Sequence, residues 1–125
     1  MDEVEVLLLD DEMGIADEVA DYLSAQGVKA KGLSSPAMFA EELERLRGIR
    51  VVVTDLRMPG RSGFDFISEI KERFPDRKLN FIVMSGFIST EDIDVGRRLG
   101  VVDFLHKPVA PNLLLKAIVP LLSGG

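Results

Sequence analysis

Four stretches of this chain, Val6 to Leu9, Val51 to Thr54, Phe81 to Met84 and Val101 to Leu105, are near-continuous apolar runs without the in-out alternation of a half-solvated strand. A strand of that kind must be covered on both faces, which points to a parallel sheet between two layers of helices. The segments between the runs supply the helices. Ala16, Val19, Ala20 and Leu23 fall on one helical face, as do Phe39, Leu43 and Leu46, and again Ile67, Ile70 and Phe74. Ser35-Pro36 has the form of an N-cap followed by proline at the first helical position, and Ala110-Pro111 repeats the proline before Leu113, Leu114, Ala117 and Ile118. The run Val28-Lys29-Ala30-Lys31 alternates, and its lysines suit an edge strand that must not pair with another chain. Ser89 to Leu99 completes the set as the poorest helix, since interior Gly96 costs about 1 kcal/mol relative to alanine. Five strands thus alternate with five helices in one α/β domain spanning 1-125. Right-handed crossovers and a polar second strand predict a doubly wound sheet in the order 2-1-3-4-5.

That wiring gives meaning to the polar residues that close the apolar runs. Asp10 and Asp11 follow the first strand, Asp55 the third, Ser85 the fourth and Lys107 the fifth, so all lie on the carboxyl edge of one sheet. The first and third strands flank the switch point, the crevice where open α/β sheets bind ligands. Three carboxylates crowded there repel one another and raise a pKa unless a positive charge intervenes. A divalent cation resolves the conflict. Mg²⁺ suits hard oxygen donors that are few in number, because it keeps waters and shares its octahedron with phosphate oxygens. Lys107 then offers a point charge, and Ser85 a hydroxyl, to an anion joining the metal.

Composition narrows the function classes. With 21 acidic and 15 basic residues the net charge is -6, which repels a phosphate backbone and argues against direct nucleic-acid binding by this domain. Cysteine is absent, so there is neither a disulfide framework nor a thiolate metal site, in keeping with a reducing cytoplasm. The acidic start, MDEVEVLLLDDE, carries an apolar run too short for a signal sequence or a membrane span. A cytoplasmic protein with no membrane association is expected.

The residues at the strand ends resemble the receiver domains of two-component response regulators, the CheY-like superfamily with its flavodoxin-like (βα)5 fold. The resemblance covers essentially the whole chain and rests on LLLDDE, VVVTDLRMPG, FIVMSG and GVVDFLHKP, in that order, at the ends of strands one, three, four and five. It implies that Asp55 accepts a phosphoryl group from a phosphohistidine on a histidine kinase or phosphotransfer protein. It also implies that Asp11, Asp55 and the backbone carbonyl of Arg57 hold Mg²⁺, with Asp10 acting largely through water. By the same resemblance Ser85 and Lys107 bind the phosphoryl oxygens, Lys107-Pro108 is cis, and Ser85 with Phe104 switches the face built from the fourth helix, fifth strand and fifth helix. Arg57 and Phe87 would flank the route of the water that hydrolyses the adduct. Such a domain is a phosphoacceptor in a phosphorelay and not an enzyme with a separate substrate; its further partners are a C-terminal effector domain or a second copy.

Plainer readings exist for each residue alone. Asp11 can cap the following helix, Asp55 can open the Met-Pro-Gly turn, and Phe104 can be ordinary core. His106 reads as a solvated strand-end residue, and Asp17, Glu18 and Asp21 as wet helix surface. None of these explains why three acids, a hydroxyl and a lysine share one edge. The alternative of another class is an aspartyl-nucleophile Mg²⁺ phosphohydrolase, but such enzymes place the nucleophile after the first strand in an Asp-x-Asp arrangement, whereas Asp10 and Asp11 are adjacent. A flavin module would need a phosphate-cradling loop where Asp10-Asp11-Glu12 stands. Three departures from the family pattern remain. Val109 follows Lys-Pro, Val101 and Val102 are bulky, and Pro120 predicts a kinked or short last helix because its ring clashes with the carbonyl of Lys116. Ser123-Gly124-Gly125 reads equally as a terminus or as a flexible linker into an effector domain.

Overall fold

The computed structural model describes residues 3–12 and 14–123. The elements are β1 (Val6–Leu9), α1 (Ile15–Ala25), β2 (Ala30–Leu33), α2 (Pro36–Arg45), β3 (Val51–Asp55), β4 (Arg57–Met58), β5 (Arg61–Ser62), α3 (Gly63–Arg73), β6 (Asn80–Ser85), α4 (Thr90–Leu99), β7 (Val101–His106) and α5 (Pro111–Ser123). Five strands form one sheet in the order β2-β1-β3-β6-β7, with every pairing parallel. Numbered among themselves these are strands 2-1-3-4-5, the order expected. The short β4-β5 ribbon, a separate antiparallel pair turned at Gly60 (φ 80°), was not foreseen. Among the described residues no helix is long and apolar enough to cross a membrane. Gly124 and Gly125, and with them the question of a linker, lie outside the described residues.

Each continuous apolar run serves two cores. Leu7 and Leu9 of β1 pack with Val52, Val83, Phe39, Leu43, Phe66 and Ile67 under α2 and α3. Val6 and Leu8 pack with Val53, Ile82, Ala20, Leu23, Leu114 and Ile118 under α1 and α5. This is the two-faced burial that the lack of alternation demands.

Three departures from expectation have local causes. The second strand starts at Ala30, two residues later than its alternation suggests, because the amide of Val28 closes α1. Val28 N–H donates to Leu23 O (2.9 Å) and Gly27 N–H to Ser24 O (3.1 Å), with Gly27 at φ 92°. That is a Schellman closure, and the ladder begins only after it. In β7 the register skips between Phe81↔Val101 and Ile82↔Asp103, so Val102 is the extra residue of a bulge and half of it faces solvent. Finally, α5 is not short. It runs three residues beyond Pro120 to Ser123, because the lost amide touches only the last turns, where Leu121 and Leu122 still pack on the core and Arg50 Nη1 donates to Leu122 O (2.6 Å).

The weakest predicted helix, α4, is secured at its start by a reciprocal cap. Asp92 N–H donates to Ser89 Oγ (3.0 Å) and Ser89 N–H donates to Asp92 Oδ2 (2.9 Å). Gly96 is present for space: a Cβ there would lie 2.4 Å from Phe104 Cζ. Gly63 is tighter still, since its Cβ would meet the backbone oxygen of Asp55 at 2.2 Å. Backbone cannot swing aside as a ring can. Gly63→Ala is therefore expected to cost ~2 kcal/mol or more in urea unfolding. Gly96→Ala is expected to stay within about 1 kcal/mol, because a gain of ~1 kcal/mol in helix propensity offsets the displaced ring.

Candidate functional site

The parallel register aligns the strand ends, and the polar residues meet there. Asp10 leaves β1 with its backbone N–H donating to Leu33 O (3.1 Å), while its Oδ1 accepts from Glu12 N–H (2.9 Å), which pins the acidic loop. Asp55 ends β3 opposite Met84 of β6, and Leu56 N–H donates to Met84 O (2.8 Å). Ser85 ends β6, and its carbonyl accepts from Lys107 N–H (2.8 Å) just beyond β7. The Lys107-Pro108 bond is cis. The structure thus brings Asp11, Asp55, Ser85 and Lys107 to one cleft, whose wall also includes Glu12, Arg57, Gly86 and Phe87, while buried Asp10 joins the group through Lys107 and the neighbouring carboxylates. Asp11 is exposed and does not cap α1, whose N-cap is Gly14. His106, Asp17, Glu18 and Asp21 are all exposed, as the plain reading has them.

Burial dominates the electrostatics. Asp10 is 1% and Asp55 4% exposed, with Lys107 Nζ 3.0 Å from Asp10 Oδ2 and 2.5 Å from Asp55 Oδ1. The second contact is an ion pair without hydrogen-bond alignment, so buried Asp55 Oδ1 has no aligned donor. Desolvation pushes Asp55 up to about 7; Lys107 works against that rise and the charge of Asp10 adds to it. Burial alone would depress Lys107, but Asp55 and Asp10 outweigh it and its pKa is raised. Oxygen atoms of Asp10, Asp11 and Asp55 lie within 4.8 Å of one another. Three hard donors, one of them buried and lacking an aligned partner, fit a divalent cation.

Across the cleft, Ser85 Oγ is fully engaged. It donates to Phe87 O (2.8 Å) and accepts from Arg57 Nη1 (2.7 Å) and more weakly from Phe87 N–H (3.3 Å). Arg57 Nη1 also donates to Phe87 O (2.7 Å), and Nη2 reaches Asp92 Oδ2 at 3.4 Å. The half-buried Phe104 ring lies against Gly96 and packs on the core under α3. Sequence reasoning missed Asp92, Glu12 and Gly63. A Ser-x-x-Asp box at 89–92 was the available signal for Asp92, while no local pattern marks Gly63, whose close neighbour is the backbone at the end of β3.

Residues 6–119 match the family model described as response regulator receiver domain. The chain belongs to this family. Among receiver-containing relatives it is 32% identical over 114 residues to the hydrogenase transcriptional regulatory protein HoxA of Cupriavidus necator, covering 90% of this chain and 23% of HoxA. It is 31% identical over 120 residues to the sensory transduction protein RegX3 of Mycolicibacterium smegmatis, covering 96% of this chain and 51% of RegX3. The chain therefore spans about half or less of the length of these regulators. A response regulator receiver protein from Pseudomonas putida superposes with a TM-score of 0.80 at 34% identity, over 94% of this chain and 97% of that one. The Vibrio cholerae chemotaxis protein CheY4 shares the fold, with a TM-score of 0.85 at 23% identity, over 97% and 100% of the two chains.

The raised Asp55 pKa makes the receiver fold pH-sensitive in a defined direction. Its native carboxyl binds a proton more tightly than the unfolded one, so without divalent cation this group's contribution to stability is present at acid pH. It is lost as pH rises through about 7. The loss is on the order of 1.4 kcal/mol per pH unit between the two pKa values. Urea titrations of native and Asp55→Asn protein in chelator should diverge over that window, the variant being the more stable at its upper end.

Proposed function

We propose that Asp55 is the phosphoacceptor of a two-component signalling pathway, and the observation that carries this is a buried carboxylate at a strand end, beside a lysine, with one oxygen lacking an aligned donor. The donor is a phosphohistidine on a histidine kinase or phosphotransfer protein. A carboxylate oxygen of Asp55 attacks phosphorus in line, the new O–P bond forms as the N–P bond breaks, and the imidazole nitrogen leaves with the electron pair and takes up a proton. Little covalent chemistry is asked of the protein, so placement and charge do most of the work. Lys107 holds one phosphoryl oxygen as a point charge, and Ser85 donates to another. Asp11, Asp55 and the carbonyl of Arg57 would hold Mg²⁺, with Asp10 acting through water. Bound there, Mg²⁺ supplies the positive charge that lets a dianionic phosphoryl group approach three carboxylates.

Output follows from competition for the Ser85 hydroxyl. A phosphoryl oxygen accepts a charge-assisted hydrogen bond stronger than the one Ser85 now gives to Phe87 O, so the loop after β6 is drawn toward Asp55. Phe104 follows into the space released, and the α4-β7-α5 face changes shape. The bias required is ~1 to 3 kcal/mol, ordinary for an allosteric coupling. The domain, 1-125, acts as a cytoplasmic signalling module and not as an enzyme with its own substrate. The chain covers 23% of HoxA and 51% of RegX3, both named as regulatory or sensory transduction proteins, and an effector domain in a corresponding remainder, or a homodimer, is the partner proposed here.

The test is incubation with Mg²⁺ and acetyl phosphate, read by intact mass. One phosphoryl adduct is expected on the native protein, none on Asp55→Asn, and slower formation with weaker Mg²⁺ binding on Asp11→Asn. An adduct that survives on Asp55→Asn at another residue overturns the assignment, and multiple turnover of a phosphoester would favour a phosphohydrolase instead. NMR spectra with a beryllofluoride phosphoryl mimic read the switch. The Phe104 ring should shift in the native protein and not in Ser85→Ala, and the segment 87–99 should shift in the native protein.

A further inference from the structure

Arg57 makes a set of contacts that no step of the phosphorylation chemistry requires. Its guanidinium touches both the cleft and the start of α4. Through Nη1 it donates to Ser85 Oγ and Phe87 O, each at 2.7 Å, and through Nη2 it reaches Asp92 Oδ2 at 3.4 Å. Asp92 Oδ2 is the same atom that accepts the Ser89 amide in the α4 cap. The Phe87 ring, 67% exposed, lies with its centroid 6.0 Å from the guanidinium carbon. One planar fork therefore spans the start of β4, the loop after β6 and the first turn of α4.

The strengths of these contacts are unequal, and the inequality suggests a use. Ser85 Oγ and Phe87 O are neutral acceptors at good distance. Asp92 is charged but remote, and the Arg57 side chain is 56% exposed, so this pair is held loosely. A phosphoryl group on Asp55 would enter the same cleft with a greater charge and acceptors suited to a bidentate arginine. It would also claim the hydroxyl that Arg57 now holds toward Phe87. We propose that Arg57 is a positioning residue that works as a latch: in the free receiver it ties Ser85 to the α4 cap, and a phosphoryl group on Asp55 draws it from Asp92 into the cleft. The release is thereby transmitted to the N-terminus of α4 independently of the Phe104 ring. This rests on the phosphoacceptor reading of Asp55.

The design of the fork allows its two arms to be separated. Lysine at 57 keeps a charge that can serve a phosphoryl oxygen but has a single nitrogen, so it cannot hold Ser85 and Asp92 together. The probe is the side-chain carboxyl ¹³C signal of Asp92, recorded with and without Mg²⁺ and acetyl phosphate, alongside adduct decay by intact mass. In the native protein the Asp92 signal should shift on adduct formation. In Arg57→Ala it should start near the shifted position and stay there, with decay roughly tenfold faster, as loss of one charge-assisted hydrogen bond gives. Arg57→Lys should keep the slow decay while losing the Asp92 response. An Asp92 signal that does not move in the native adduct, or that moves equally in Arg57→Ala, overturns the latch and leaves the acceptor assignment standing. Absence of any adduct by mass on the native protein overturns both.

Discussion

The whole site depends on one unfavourable act, the burial of Asp55 and Asp10 at the ends of strands that are otherwise apolar. A carboxylate in that position loses water and must find compensation from the protein. Among the described residues Lys107 is the cation that touches both acids, and it cannot balance three carboxylates by itself. The residual charge emerges as the raised pKa of Asp55 and its unaligned oxygen. A site built in this way leaves negative charge uncompensated by the protein's own groups, and a cation is what its chemistry fits.

That incompleteness is tolerable because the scaffold beneath is not marginal. Both faces of β1, β3 and β6 are packed, and the strands carrying Asp10, Asp55 and Ser85 are held from two sides by the clusters around Phe39, Ile67, Leu23 and Ile118. Gly63 tightens this further by letting the first turn of α3 rest directly on the Asp55 carbonyl. Asp55 is thus fixed in place, while Gly86, Phe87 and Lys107 across the cleft lie just beyond the packed strands, on the loops after β6 and β7.

The parts of this arrangement that could be read from sequence are those fixed by period and order. Unbroken apolar runs dictated a two-faced sheet, and the lysine-bearing second strand dictated an edge; from these the strand order followed, and with it the meeting of Asp10, Asp11, Asp55, Ser85 and Lys107. What escaped is what depends on hydrogen bonds between distant residues. Val28 looked like strand because it opens the alternating run Val28-Lys29-Ala30-Lys31, yet its amide belongs to the Schellman closure of α1. Val102 looked buried because it lies in the apolar run Val101 to Leu105, yet the bulge turns it out. Pro120 looked disruptive because the rule against internal proline says nothing about how near the helix end it falls or about Arg50 waiting at Leu122. The arginine fork at Arg57 is the same kind of omission, since its three acceptors lie 28, 30 and 35 residues away.

The contrast between α3 and α4 explains where a signal can travel. α3 buries Gly63, Phe66, Ile67 and Ile70, so moving it would expose a core. α4 buries only Gly96, and what fixes it is polar: the Ser89–Asp92 box, the reach of Arg57, and Lys71 Nζ donating to Leu99 O at 2.7 Å. Polar contacts at half-exposed sites are each worth little and can be exchanged for others of similar strength, whereas lost apolar burial has no such substitute. The glycine that costs α4 helix propensity also gives the Phe104 ring its seat, so the same residue weakens the helix and couples it to β7. A helix held by exchangeable bonds beside a cleft that competes for those bonds is the element of this fold that a charge placed on Asp55 can shift at least cost.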